Sequence, residues 1–165
     1  MPTNFERAFE ERPAVYAAWR GLVGAIRETM ELRRYELATF AAAQRLRSTY
    51  CSIMHGNALR NDVGEDILAI VDDREGTLDA VDLAVMDLAE RVVVDATAIT
   101  QADLQVLRDL GLTDGEIMDV VLAAAARCFF SKTLDALCIQ ADAQFQELAA
   151  ELKTAFVVGR PIATT

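Results

Sequence analysis

The stretch ELATFAAAQRLRSTYCSIMHG, from Glu36 to Gly56, carries most of what the sequence reveals. Its apolar residues are spaced for helix, and Leu37, Phe40 and Ala41 fall on one inward face. Ser48 is a natural helix N-cap, because its hydroxyl can accept from an early backbone N–H. A helix opening there puts Cys51 in its first turn, where free N–H groups and the helix dipole favour a thiolate. Ser48, Cys51 and His55 follow the steps i, i+3, i+7 and so share one stripe of that helix. His55 is the only histidine of the chain. An imidazole beside a thiol can take and return its proton. Glu36 is a third candidate, a carboxylate among apolar neighbours. In one unbroken helix it would lie about 22 Å along the axis from Cys51. A Glu–His–Cys site therefore requires a turn near Arg47. Taken singly, these residues also admit plainer readings: Cys51 as a small core hydrophobe, His55 as a satisfied or surface residue, and Glu36 as a solvated one.

Outward from this stretch the pattern stays helical. Pro13 suits a helix start, followed by Val15, Trp19, Leu22, Val23, Ile26 and Met30 at three- and four-residue steps. A helix is expected over about Arg34 to Leu46 and another from Ser48. A short one is expected at Asp66 to Val71, between loops at Gly64 and at Asp72 to Gly76. Leu78 to Val94 reads as helix, and RVVVDA within it is β-branched but keeps the helical register. Thr100 with Asp103 caps a short helix that Gly111 closes. TDGE, Thr113 to Glu116, is a capping box opening a long helix with Ile117, Val120, Val121, Ala124, Cys128 and Leu134 on its face. Helix is expected, with a break, to about Phe156, where VGRP ends it. No alternating strand pattern stands out. The expectation is one all-α domain over 1–165, a helical bundle of about seven to eight helices.

Composition narrows the function. The chain has 165 residues, 53% hydrophobic and 25% charged, with a formal net charge of −10. That is globular and acidic, which argues against a nucleic-acid binder or a protein of anionic membrane surfaces. The opening MPTNFERAFEERP does not read as a secretory signal, and no apolar run has the length of a membrane span. Three cysteines, Cys51, Cys128 and Cys138, do not suit a disulfide scaffold, so a cytoplasmic setting is expected. Cys128 and Cys138, among Ala, Leu and Phe, read as core fillers.

The stretch from Glu36 to Gly56 resembles the core motif of the AhpD-like superfamily, which includes alkylhydroperoxidase AhpD and carboxymuconolactone decarboxylase. The AhpD frame is Glu, eleven residues, Cys, two residues, Cys, three residues, His. The same frame here reads Glu36, Ser48, Cys51, His55. Ala98 to Leu137 is similar to a second characteristic block, and the likeness spans about Pro13 to Leu137. The resemblance implies an AhpD-like helical bundle and a thiol-dependent hydroperoxidase without cofactor or metal. Cys51 would attack the peroxide, His55 would activate it, and Glu36 would start a proton relay. Tyr50 stands where AhpD has a second relay histidine. It also implies a small-molecule hydroperoxide substrate, a thiol reductant and a homo-oligomer, from dimer to trimer or hexamer.

Ser48 departs from the frame. It occupies the place of the resolving cysteine and cannot close a disulfide with Cys51. An external thiol, Cys128 or Cys138 would have to reduce an oxidised Cys51. Three other readings remain at this stage. One is a decarboxylase-like or lactone-processing enzyme, with Glu36 and His55 doing acid–base work, Cys51 incidental, and Arg33, Arg34, Arg45 and Arg47 flanking the motif. Another is a non-catalytic redox sensor. The last is a zinc site of Glu36, Cys51 and His55, whose ligand types suit that metal.

Overall fold

The computed structural model describes residues 2–164, and among them every regular element is a helix. Ten α-helices follow in order: α1 (Asn4–Ala8), α2 (Pro13–Thr29), α3 (Leu32–Arg45), α4 (Thr49–Ala58), α5 (Ile67–Asp72), α6 (Arg74–Thr77), α7 (Ala80–Asp95), α8 (Gln101–Asp109), α9 (Asp114–Ala136) and α10 (Ala150–Phe156). A π-helical turn, Leu59–Val63, extends α4, and 3-10 turns follow α7 and precede α10. The all-α expectation holds. The helices beyond the expected seven or eight are α1 and α6, each a turn or so long. Such short pieces have little intrinsic stability and form because tertiary contacts hold them. α6 replaces the expected loop at Asp72 to Gly76: the Asp73 side chain accepts from the Gly76 N–H and caps it.

The centre is α3, which packs against α4, α7 and α9. All its residues from Tyr35 to Ala43 are buried, so it has no solvent face over that length. The run of small residues explains how three neighbours can approach it at once: Ala38, Ala41, Ala42 and Ala43 let the surrounding helices come close, and Leu37 and Phe40 fill the remaining space. A large apolar core joins α3 to Ile53, Leu59, Ile70, Val85, Val120, Leu134 and Phe156. A small satellite gathers Ile26, Tyr35, Ala123 and Ala126 where α2 crosses α9. The α2 stripe is narrower than the sequence suggests. Ile26 is buried and Trp19, Val23 and Met30 pack partly, whereas Val15 and Leu22 are exposed and with Phe129 line a shallow apolar groove.

Three helices end in the same way. After α3, Arg47 takes a left-handed conformation (φ 56°), its N–H bonds the Gln44 carbonyl and the Ser48 N–H bonds that of Ala43. This is a Schellman stop, and it supplies the turn that a Glu–His–Cys site requires. Gly111 (φ 97°) closes α8 with the same pair of bonds, as expected from its being glycine. Cys138 (φ 59°) closes α9 likewise. Cys138 is therefore an exposed turn residue and no core filler, and Cys128 is half-buried on the flank of α9. The expected break before Phe156 is this turn at Cys138 and the irregular stretch that leads to α10.

The C-terminal tail braces the α3–α4 turn. Arg47 Nε donates to the Val158 carbonyl (3.1 Å), and the Gly159 N–H donates to Thr49 Oγ1 (3.0 Å). Gly159 lies so close that a Cβ there would stand 1.9 Å from the Arg47 carbonyl oxygen. Gly159→Ala must push the tail off the turn. It should cost roughly 2 kcal/mol by the overpacking rule, read as a lowered midpoint in thermal or urea unfolding.

Candidate active site

α3 and α4, folded together at Arg47, bring Glu36 against His55. The Glu36 Oε2 to His55 Nδ1 distance is 2.6 Å, and both residues are buried. Thr39 Oγ1 is 3.0 Å from the same nitrogen. The Thr39 hydroxyl spends its proton on the Tyr35 carbonyl (2.7 Å), so it offers His55 a lone pair. With two acceptors facing it, Nδ1 carries the hydrogen and donates, which leaves Nε2 as the basic nitrogen. Burial is the largest influence on this imidazole. With the nearby Arg127 charge it pulls the pKa down to about 4, against the opposing pull of Glu36. His55 is thus neutral at pH 7.

Cys51 is buried on the same helix, one turn before His55, and its hydrogen-bond partner is neither His55 nor Ser48. Arg127 Nη1 of α9 donates to Cys51 Sγ at 3.5 Å. The guanidinium is buried, 5.8 Å from the Trp19 ring centre and 5.6 Å from that of Phe130. Burial alone would weaken its hold on the proton. The adjacent Cys51 sulfur and Tyr35 phenol outweigh this, and Arg127 holds its proton more firmly than usual. No carboxylate pairs with it among the described residues, and its Nε is buried with no partner. Sequence reading gave the thiolate-favouring role to the first turn of the helix; the structure adds a cation beside the sulfur, Arg127. One sign of it was legible. Arg127 is the lone charge in LAAAARCFF, on the same stripe as Val120, Ala124 and Leu134, where Cys128 had been read as the inward residue.

Ser48 is buried at the N-cap position of α4 but makes no side-chain cap; its hydroxyl has no hydrogen-bond partner. Its backbone explains the position: its N–H closes α3 and its carbonyl accepts from Ser52 to open α4. The Tyr50 hydroxyl donates to the Asp142 carboxylate, and burial followed by that bond pushes the phenol pKa well up. The arginines that flank the motif lie elsewhere. Arg33 pairs with Glu65 and Asp82, Arg34 pairs with Glu116, Arg47 holds the tail, and Arg45 is exposed.

Glu36, Cys51, His55 and Arg127 all line one cavity of about 300 Å³. Its walls are aromatic: Phe5, Tyr16, Trp19, Tyr35, Tyr50 and Phe130, with Val23, Met54 and Ala58 completing them. Phe5 of α1 lies against Tyr16, Tyr50 and Phe130 at ring-centre distances of 6.1, 5.6 and 5.8 Å. Arg27, Met54 and Asp62 are exposed and form its rim. The site thus sets a sulfur beside a fixed cation and a carboxylate-oriented base in one largely apolar chamber. Among the described residues, no three of His, Cys, Asp and Glu gather as a metal would need, so the zinc alternative lacks a ligand set. Among the described residues, no helix is long and apolar enough to cross a membrane.

This arrangement of helices is the AhpD-like fold. Two solved structures with which the chain superposes carry it. One is an uncharacterized peroxidase-related protein from Silicibacter sp. TM1040, with TM-score 0.79 and 21% identity over 89% of this chain and 80% of that one. The other, described as an alkylhydroperoxidase AhpD core and uncharacterized peroxidase-related protein, is from Ralstonia eutropha JMP134, with TM-score 0.77 and 17% identity over 96% and 83% of the two chains. No protein-family model and no curated protein sequence matches the chain.

The neutral, buried His55 has a measurable consequence. In the folded chain its pKa is about 4, against 6.5 when free. The unfolded state therefore binds the extra proton first as pH falls. Stability from this residue is present above about pH 6.5 and is lost as pH drops through about 4. Urea unfolding from pH 7 to pH 4 should show that decline, and His55→Gln should flatten it.

Proposed function

We propose that the protein is a thiol-dependent hydroperoxidase, with Cys51 as nucleophile. The observation that carries this reading is the contact of Arg127 with the Cys51 sulfur, one helical turn from the oriented Glu36–His55 pair, inside an apolar chamber. Arg127 is placed to stabilise negative charge as it develops on the sulfur. His55, neutral and free to accept at Nε2, takes the thiol proton, and Glu36 steadies the imidazolium as it forms. The thiolate attacks the terminal oxygen of a hydroperoxide ROOH. An S–O bond forms, the O–O bond breaks, and the sulfur is oxidised to a sulfenic acid. The alkoxide leaves and receives the proton from His55 as ROH. The aromatic walls favour an organic R group over hydrogen peroxide. Tyr50, hydrogen-bonded to Asp142, shapes the wall beside Cys51 and carries no titration near neutral pH in this scheme. Ser48 leaves the sulfenic acid without a resolving partner on its own helix.

Exposure to cumene hydroperoxide with a sulfenic-acid trap should place one adduct on Cys51 by mass spectrometry. Cys51→Ser should abolish both the adduct and peroxide consumption. Arg127→Met should slow the peroxide step about 10- to 100-fold, the worth of a buried charge-assisted contact, with the helical circular dichroism unchanged. Peroxide left unconsumed by the wild type would sink the reading. Turnover of a lactone or β-keto acid that survives Cys51→Ser would favour acid–base chemistry by Glu36 and His55.

A further inference from the structure

The peroxidase reading leaves an oxidised sulfur to be reduced, and the fold restricts what can reach it. Ser48 offers only an alcohol. Cys138 is exposed at the turn after α9, and Cys128, half-buried, is not part of the cavity lining. Cys51 is 2% exposed. Its opening is the chamber of about 300 Å³, at the small end for ligand pockets. A protein dithiol carries its sulfur on its own surface and would have to bring it to bonding distance of a buried atom in the wall of this chamber. A small molecule does not meet that obstacle.

The chamber also holds a buried cation that meets the Cys51 sulfur but no carboxylate. Arg127 is 5% exposed, has no carboxylate partner among the described residues, and has a buried Nε with no acceptor. Glu36, the other buried ion of the site, is engaged by His55. At the rim Arg27 and Asp62 are both exposed, so solvent screens each and their signs oppose. The charge with most influence on a ligand is the desolvated one, and it is positive.

We propose that the second substrate is a low-molecular-weight thiol bearing a carboxylate, which enters the chamber, sets its anion against Arg127 and resolves Cys51 directly. This rests on the hydroperoxidase reading. The first thiol attacks the sulfenic sulfur: an S–S bond forms, the S–O bond breaks, and water leaves with the thiol proton. A second thiol attacks the added sulfur of the mixed disulfide, releasing the small disulfide and the Cys51 thiol. The two electrons that reduce Cys51 come from the two thiols.

The test runs the last step in reverse, which needs no peroxide. In the full chain with Cys128→Ser and Cys138→Ser, reduced Cys51 is treated with 3,3′-dithiodipropionate, hydroxyethyl disulfide or cystamine, which are anionic, neutral and cationic. Mixed-disulfide formation is followed by intact mass, and each rate is divided by that of a free model thiol. The normalised rate should be at least tenfold higher for the anionic reagent than for the cationic one. The preference should persist at 0.5 M salt, because Arg127 is buried. Arg127→Gln should slow all three reagents, as its place beside the sulfur requires, but bring the anionic-to-cationic ratio near one; labelling by the neutral reagent, slowed but still measurable, shows that the chamber survives. A thioredoxin-type dithiol protein should reduce the mixed disulfide more slowly than 3-mercaptopropionate. Equal or inverted charge preference, or faster reduction by the protein dithiol, would overturn the proposal. If a sulfenic acid forms on Cys51 but the reagents are not discriminated, this inference fails and the peroxidase reading stands. If discrimination is seen but no sulfenic acid ever forms, the thiol site stands and the peroxide step falls.

Discussion

Glu36 sits on a stretch of helix, Tyr35 to Ala43, that has no wet side, and much else follows from that. Because α3 is enclosed by α4, α7 and α9, a carboxylate on it cannot be left to water. It must find a donor on a neighbouring helix or give up its charge. His55 is that donor, at 2.6 Å. The contact fixes how α4 lies on α3, and it selects the tautomer of the imidazole. α4 then carries Cys51 to the wall that α9 completes with Arg127. A buried pair of this kind costs desolvation, and replacing it by apolar residues need not destabilise a protein. Its retention at the centre of the molecule makes more sense as chemistry than as scaffolding.

The two buried charges of the site are kept apart. Glu36 is spent on His55 and Arg127 on the sulfur, and no ion pair joins them. Paired with each other they would neutralise, and neither would act on the thiol. Thr39 and Trp19 help maintain the separation: Thr39 shares the histidine nitrogen, and the Trp19 ring lies beside the guanidinium. An apolar surround then lets both charges act with little screening.

Much of this was legible in the sequence, for reasons that can be traced residue by residue. The capping boxes at Thr100 and Thr113 are local and self-contained, so their spacing alone locates two helix starts. The Glu36–Ser48–Cys51–His55 frame is likewise a matter of counting. What the sequence hid depends on distant partners. Of the three Schellman stops only Gly111 announces itself, since arginine and cysteine at a left-handed position give no compositional sign. Arg127 was hidden by the habit of turning charges outward: on α9 the apolar stripe reads through it, and only the sulfur on another helix explains why it points inward. Ser48 shows the reverse failure. Its position as a helix start was right, but the reason was wrong, because its backbone serves both helices while its hydroxyl serves neither.

α1 supplies Phe5 to the cavity wall, yet it is five residues long and has no buried residue of its own. It stays in place through Asn4, whose N–H donates to Asp142 and whose side-chain amide donates to the Gln140 carbonyl. Asp142 also holds the Tyr50 hydroxyl, so a single carboxylate pins both the strap and the residue next to Cys51. Loosening α1, a helix too short to persist alone, would move Phe5 and reshape the cavity through a contact that lies outside it.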